Sequence, residues 1–269
     1  MSALDDLFAR TRAEGRAALI GYLPAGFPSY AGGVAAMTAM VAAGVDAVEV
    51  GLPYSDPLMD GPTIVAAVDA ALAAGTRTAA VLRTVEEVAA TGAPTLVMTY
   101  WNPVARYGVR RFAADLRAAG GSGAITPDLL PEEAGGWLAA AAEAGIDPVF
   151  LVAPSSRPAR IARVAAVSRG FVYAASTMGV TGARESVGER AAGLVERVRQ
   201  VTGAPVAVGL GVGTGSQAAE VAAYADGVIV GSAFVRCLLD APDEDAGVRS
   251  VQRLAAELAA GVRRRSGPT

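Results

Sequence analysis

Eight short apolar runs recur along the chain, each followed by a stretch with helical spacing, and this alternation limits the fold more than any other feature. The strand-like runs fall at 17–22, 47–51, 95–99, 123–126, 148–152, 171–175, 205–208 and 227–230. Helical stretches fill the intervals: 29–43, the pair 63–74 and 78–90 split by Gly75, 109–118, 127–144, 158–167, one ending near Gln200, one from Ser216 and one reaching Leu239. A leading helix is predicted over 1–14 and a closing one over 246–264. Repeated strand–helix units with short connections predict a parallel sheet closed on itself, an α/β (β/α)8 TIM barrel, as a single domain over 1–269. An open doubly wound sheet would ordinarily carry a Gly-x-Gly-x-x-Gly turn after its first strand, and the segment from Gly21 to Gly26 does not supply one.

At 269 residues, with 52% of them hydrophobic, the chain can bury one large core without dividing into domains. Its net charge of -3 offers no broad basic surface, which argues against nucleic acid as a partner. No apolar run approaches a membrane span and the N-terminus is acidic where a signal peptide is basic, so a soluble cytoplasmic protein is expected. Cys237 stands alone, which leaves no intrachain disulfide and no thiolate metal cluster. Histidine and lysine are absent altogether. That excludes a Ser-His-Asp triad, a histidine-ligated metal and a lysine Schiff base, and leaves proton transfer to Asp, Glu or Tyr.

Against that background one acidic residue is out of place. In the second run, Val48 and Val50 share one face while Ala47, Glu49 and Gly51 share the other. A parallel sheet covered on both sides would put Glu49 in the interior, where an unpaired carboxylate costs several kcal/mol. Glu49 therefore either makes a buried ion pair with an arginine, lies at a wet strand end, or performs chemistry. Asp56 and Asp60 follow in a loop rich in Pro and Gly. Either can serve as a turn or cap residue, Asp60 before Gly-Pro-Thr in particular.

The ends of the last three strands carry glycines: Gly179-Val-Thr-Gly182, Gly209-Leu-Gly211, and Gly231-Ser232 opening a helix. Glycine lets backbone amides approach a ligand closely, and amides at a helix N-terminus favour anions, so a phosphate site needs no lysine here. Tyr173 shares a strand face with Phe171 and is either core or cavity wall. Tyr100-Trp101-Asn102 follows the third strand, as pocket wall or as an edge facing a partner.

The segments Ala-Leu-Ile-Gly-Tyr-Leu-Pro-Ala-Gly-Phe-Pro from Ala18, Val-Glu-Val-Gly-Leu-Pro-Tyr-Ser-Asp-Pro-Leu-Met-Asp-Gly-Pro-Thr from Val48, Gly-Phe-Val-Tyr from Gly170, Gly-Val-Thr-Gly from Gly179 and Gly-Leu-Gly-Val from Gly209 closely resemble the tryptophan synthase alpha chain. The resemblance runs in register from about Leu4 to Leu239. It implies a (β/α)8 lyase that performs a retro-aldol cleavage of indole-3-glycerol phosphate to indole and glyceraldehyde 3-phosphate. Indole then passes to a pyridoxal-phosphate beta chain in an α2β2 complex, and this chain needs no cofactor of its own. By motif match Glu49 is the general acid-base residue and Asp60 the carboxylate facing the indole nitrogen, expected to stay ionised on a more solvated loop. Tyr173, Tyr100 and Thr181 fall at the substrate, and Gly182, Gly211, Gly231 and Ser232 at its phosphate. Asp56, Pro57 and Asn102 fall in loops that face the beta chain. Two departures stand out. Thr177-Met178 occupies positions where an arginine and a small polar residue are expected, in a loop that acts as a lid in the family. Ile-Thr-Pro-Asp, ending at Asp128, replaces a more hydrophobic run; Asp128 is a candidate for positioning that lid. Other readings are a phosphosugar isomerase, a stand-alone indole-3-glycerol-phosphate lyase and a regulatory subunit of a beta chain.

Overall fold

The computed structural model describes residues 2–176, 186–209 and 211–264. After helix α1 (Ala3–Ala13), the strands β1 (Ala18–Pro24), β2 (Ala47–Gly51), β3 (Thr95–Met98) and β4 (Gly123–Ile125) pair in parallel, each with the next. The fifth run is split into β5 (Asp147–Val149) and β6 (Leu151–Val152), and β7 (Val172–Ala175), β8 (Val206–Gly209) and β9 (Gly227–Val230) complete the sheet. The strand order is β5-β4-β3-β2-β1-β9-β8-β7-β6. Its two ends are therefore consecutive pieces of one run, and the sheet curls into a barrel.

The split explains itself. Residues 147–149 bond to β4, residues 151–152 bond to β7, and between them the Phe150 amide turns to the Ser168 hydroxyl at 3.4 Å. Phe150 is where the chain hands its hydrogen bonding from one neighbour to the other. The nine segments thus amount to the eight strands expected from the sequence.

Inward-facing Ala18, Ile20, Ala47, Leu96, Ile125, Val149, Phe171, Ala207 and Ile229 fill the barrel. Leu4, Leu7 and Phe8 of α1 pack onto them, Phe8 against Phe171 at 5.6 Å, and cork the N-terminal end. Burial of each such side chain stabilises the fold by roughly 1.5–3 kcal/mol. Val48 and Val50 point the other way, into the layer between barrel and helices. With the bottom plugged, the barrel interior opens at its C-terminal mouth.

The helical ring consists of α2 (Tyr30–Ala42), α3 (Pro62–Ala73), α4 (Thr78–Ala89), α5 (Trp101–Tyr107), α6 (Val109–Ala118), α7 (Gly135–Ala144), α8 (Pro158–Val167), α9 (Ser186–Arg199), α10 (Gly215–Ala222), α11 (Ser232–Leu239) and α12 (Glu244–Arg263). Besides shifts of one or two residues at several ends, such as α12 opening at Glu244 and not at Ala246, three features differ from the sequence reading. The first strand runs on to Pro24. The helix expected over 127–144 begins only at Gly135, after turns that hold Pro131 and Glu132. α5 was hidden in Tyr-Trp-Asn-Pro: Pro103 sits in its first turn, where a missing N–H costs nothing. Among the described residues no single helix is long and apolar enough to cross a membrane.

Candidate active site

Strand alternation delivers Glu49 to the inside of the barrel, one step toward the mouth from Ala47. It is 1% exposed, and its Oε1 has no hydrogen-bond partner. Desolvation alone pushes its pKa up to about 8. Among the described residues the ion-pair alternative is not realised: the buried arginine there, Arg16, grips Asp46 at 2.6 and 2.8 Å, at the end opposite the mouth.

Glu49 opens onto a cavity of about 460 Å3 at the mouth. Met98, Leu151, Ile229 and Ile64 give it apolar walls, Tyr22 and Tyr173 contribute phenols, and Asp60 is the other carboxylate on the lining. Asp60 does not cap the following helix: Gly61 holds the cap position of α3, with no side-chain bond there. The sequence reading set Asp60 on a more solvated loop that keeps it ionised; the structure encloses it further than that. It is half-buried, and desolvation raises its pKa, with Tyr100 beside it pulling the other way. Tyr100 itself lies behind Asp60, beside Tyr22, Leu52 and Thr99, and does not line the main cavity.

Two glycines make room for the phenols. A Cβ on Gly209 would lie 2.5 Å from the Tyr173 hydroxyl, and one on Gly51 would collide with the Tyr22 hydroxyl. Burial raises both tyrosine pKa values, Tyr22 with added repulsion from Asp60 and Glu49, Tyr173 from Glu49 first. Both therefore remain neutral hydrogen-bond donors. The sequence reading passed over Tyr22; its signal was the same alternation that singled out Glu49, since Ile20 and Tyr22 share the inward face of β1.

Beyond β1 from Glu49, at the ends of β8 and β9, Gly209, Gly211, Gly231 and Ser232 line the same cavity. Gly211 has φ +66°, a backbone region that favours glycine, and Ser232 is the first residue of α11, whose leading amides have no acceptor within the helix. Helix dipole and free amides together favour an anion here. Thr181 and Gly182, and with them Thr177 and Met178, lie outside the described residues.

The remaining candidates cluster beside the mouth. Asp56 is exposed with its carboxylate taking the Ser55 hydroxyl at 2.6 Å, Pro57 is half-buried, and exposed Asn102 donates to the Tyr54 hydroxyl at 3.3 Å. Leu58 and Met59, between Asp56 and Asp60, are among the most exposed large apolar side chains of the chain. Among the described residues no group of three or more His, Cys, Asp or Glu is arranged to hold a metal.

This arrangement has close relatives. The family model described as tryptophan synthase alpha chain matches residues 8–263. The tryptophan synthase alpha chain of Acidothermus cellulolyticus is 61% identical over 264 residues, covering 98% of each chain, and that of Thermobifida fusca is 60% identical over 266 residues, again 98% of each. A solved Mycobacterium tuberculosis tryptophan synthase chain superposes with a TM-score of 0.91 at 57% identity, covering 97% of this chain and 98% of that one. The alpha subunit from Legionella pneumophila retains a TM-score of 0.89 at 28% identity, over 97% and 98% of the two chains. The chain belongs to the tryptophan synthase alpha-chain family, the alpha subunits of a lyase.

Proposed function

We propose that this chain cleaves indole-3-glycerol phosphate to indole and glyceraldehyde 3-phosphate. The observation that carries the reading is Glu49: a desolvated, unpaired carboxyl in a cavity with a second carboxyl and an amide-lined anion site. With a pKa of about 8 it is about nine-tenths protonated at neutral pH, and so starts as an acid.

In the first step Glu49 gives its proton to the ring carbon that bears the glycerol chain. The indole becomes an iminium-like tautomer, and Asp60 stabilises the positive charge on the ring N–H. Glu49 is now a carboxylate in an apolar mouth, hence a strong base. It takes the proton from the hydroxyl next to the ring, the C–O becomes a carbonyl, and the carbon–carbon bond breaks. The electron pair of that bond restores the indole. The substrate is its own electron sink, so no Schiff base is required, consistent with a chain that lacks lysine.

Gly182, Gly211, Gly231 and Ser232 would hold the phosphate, with Tyr173 and Thr181 beside the glycerol and ring. Asp56, Pro57 and Asn102, next to exposed Leu58 and Met59, would face a beta chain that carries pyridoxal phosphate in a cytoplasmic α2β2 complex. Purified chain given indole-3-glycerol phosphate should release indole slowly alone and faster with beta chain. Rapid release that beta chain does not change would make it a stand-alone lyase, and no release in either case would leave a regulatory subunit.

A further inference from the structure

Asp128 follows β4 and lies off the cavity lining, yet both its carboxylate oxygens accept the backbone N–H of Trp101, at 2.8 and 3.1 Å. Trp101 is the first residue of α5, and Tyr100 at the cap position makes no side-chain cap. Asp128 thus satisfies from the next strand end an amide that Ser or Asp would ordinarily satisfy from the cap position, and sets negative charge against the helix's positive end.

That contact fixes the residue one peptide away. The Tyr100 hydroxyl accepts the Met59 N–H at 3.1 Å, one residue from Asp60, and its position beside Asp60 favours the ionised carboxylate. Apart from the neighbouring Ser55–Asp56 contact, among the described residues the one hydrogen bond made by residues 56–60 is that of Met59 to Tyr100. Among the described residues, a loop with exposed Leu58 and Met59 thus takes its polar anchorage from one phenol.

We propose that Asp128 is a positioning residue: by pinning the start of α5 it holds Tyr100, and through Tyr100 it holds Asp60 on the cavity wall. The proposal rests on the reading of Asp60 as the carboxylate that faces the indole nitrogen. It is distinct from any direct charge effect of Asp128 on substrate or lid, because the contact that matters is acceptance of a backbone N–H, which an uncharged amide oxygen also performs.

The test compares wild type, Asp128→Ala, Asp128→Asn, Tyr100→Phe and the Asp128→Ala/Tyr100→Phe double variant, as full chains with beta chain. Asp128→Ala lowers kcat for cleavage about tenfold with KM changed less than about threefold, because orientation is lost and binding is not. Asp128→Asn recovers most of that rate. In the Tyr100→Phe background, Asp128→Ala costs less than about twofold, since the route is already cut. Among the described residues, the titratable groups around Asp60 are Tyr100, Tyr22 and Tyr173, with Glu49 on the same cavity lining. Tyr100 is the one whose contact favours the ionised form, so loosening it raises the Asp60 pKa and moves the acid limb of kcat to higher pH in Asp128→Ala, with no further movement in the double variant. Hydrogen exchange gives a readout that needs no turnover: the Trp101 and Met59 amides exchange faster in Asp128→Ala and stay protected in Asp128→Asn. Unchanged Met59 exchange, additive losses in the double variant, or an Asp128→Asn as impaired as Asp128→Ala overturns the proposal. Absence of cleavage by wild type overturns the lyase reading instead, and leaves the exchange result to decide the role of Asp128.

Discussion

Replacing Glu49 with glutamine should make the protein more resistant to alkali. The carboxyl has a pKa of about 8 in the folded chain against an ordinary value of 4.5, and burial is the sole cause. Folding therefore disfavours its charged form. Below about pH 4.5 the residue is protonated in both states and the penalty is absent; the penalty grows as pH rises and is complete above about pH 8. At about 1.4 kcal/mol per pH unit the ceiling is about 5 kcal/mol, of which about 4 accrues between pH 5 and pH 9. Water entry and relaxation around the charge reduce this to roughly 2–4 kcal/mol. Glutamine carries no charge at any pH, and its buried amide contributes only a pH-independent offset of about 1–3 kcal/mol. Urea or thermal unfolding of both proteins from pH 5 to pH 9 isolates the effect, because every other titrating group is common to the pair. The Tm difference should move by roughly 5–10 °C in favour of Glu49→Gln as pH rises. A difference that stays constant across that range would refute the claim that Glu49 is desolvated and unpaired.

Other consequences follow from the same geometry. Asp60→Asn should cut the cleavage rate by about 10²–10³ while substrate still binds, as expected when one preorganised charge partner is lost; an unaffected rate in a stopped assay for indole would remove Asp60 from the mechanism. Gly209→Ala places a methyl 2.5 Å from the Tyr173 hydroxyl, so denaturant unfolding should register a loss of about 1–3 kcal/mol, partly recovered in a Gly209→Ala/Tyr173→Phe double variant; no recovery would mean that the phenol is not what Gly209 accommodates. Gly211→Ala imposes a side chain at φ +66° and should raise KM with little change in kcat, and a change confined to kcat would argue against a binding role for that loop. Carbon-13 resonances of labelled glutamates, compared between wild type and Glu49→Gln, should reveal one carboxyl that titrates near pH 8.

The barrel could be read from the chain because its signal is local and repeated: each strand announces itself by composition, and the eight together leave few architectures. Glu49 was legible for a related reason, since alternation fixes its face and an acid on an interior face is an anomaly. What escaped notice depends on contacts between distant segments. α5 could not be seen in Trp-Asn-Pro because its first amide is satisfied by Asp128, 27 residues away. The break at Phe150 reflects an exchange of strand neighbours that no run of five residues encodes. Tyr22 matters because Gly51 and Gly231, on the neighbouring strands' ends, leave space for its ring, and Asp60 is less solvated than its polar loop suggested because Tyr22 and Tyr100 close around it. Local pattern sets the secondary structure and its faces; the environment of each acid is set by the side chains that closure of the barrel brings together.

The most direct measurement is of indole release and substrate binding side by side, in wild type and Glu49→Gln, with beta chain present. If a single carboxyl first gives and then takes the proton, the variant binds indole-3-glycerol phosphate within a few-fold of wild type and releases no indole above background. Indole release by Glu49→Gln at a rate close to that of wild type would contradict the account.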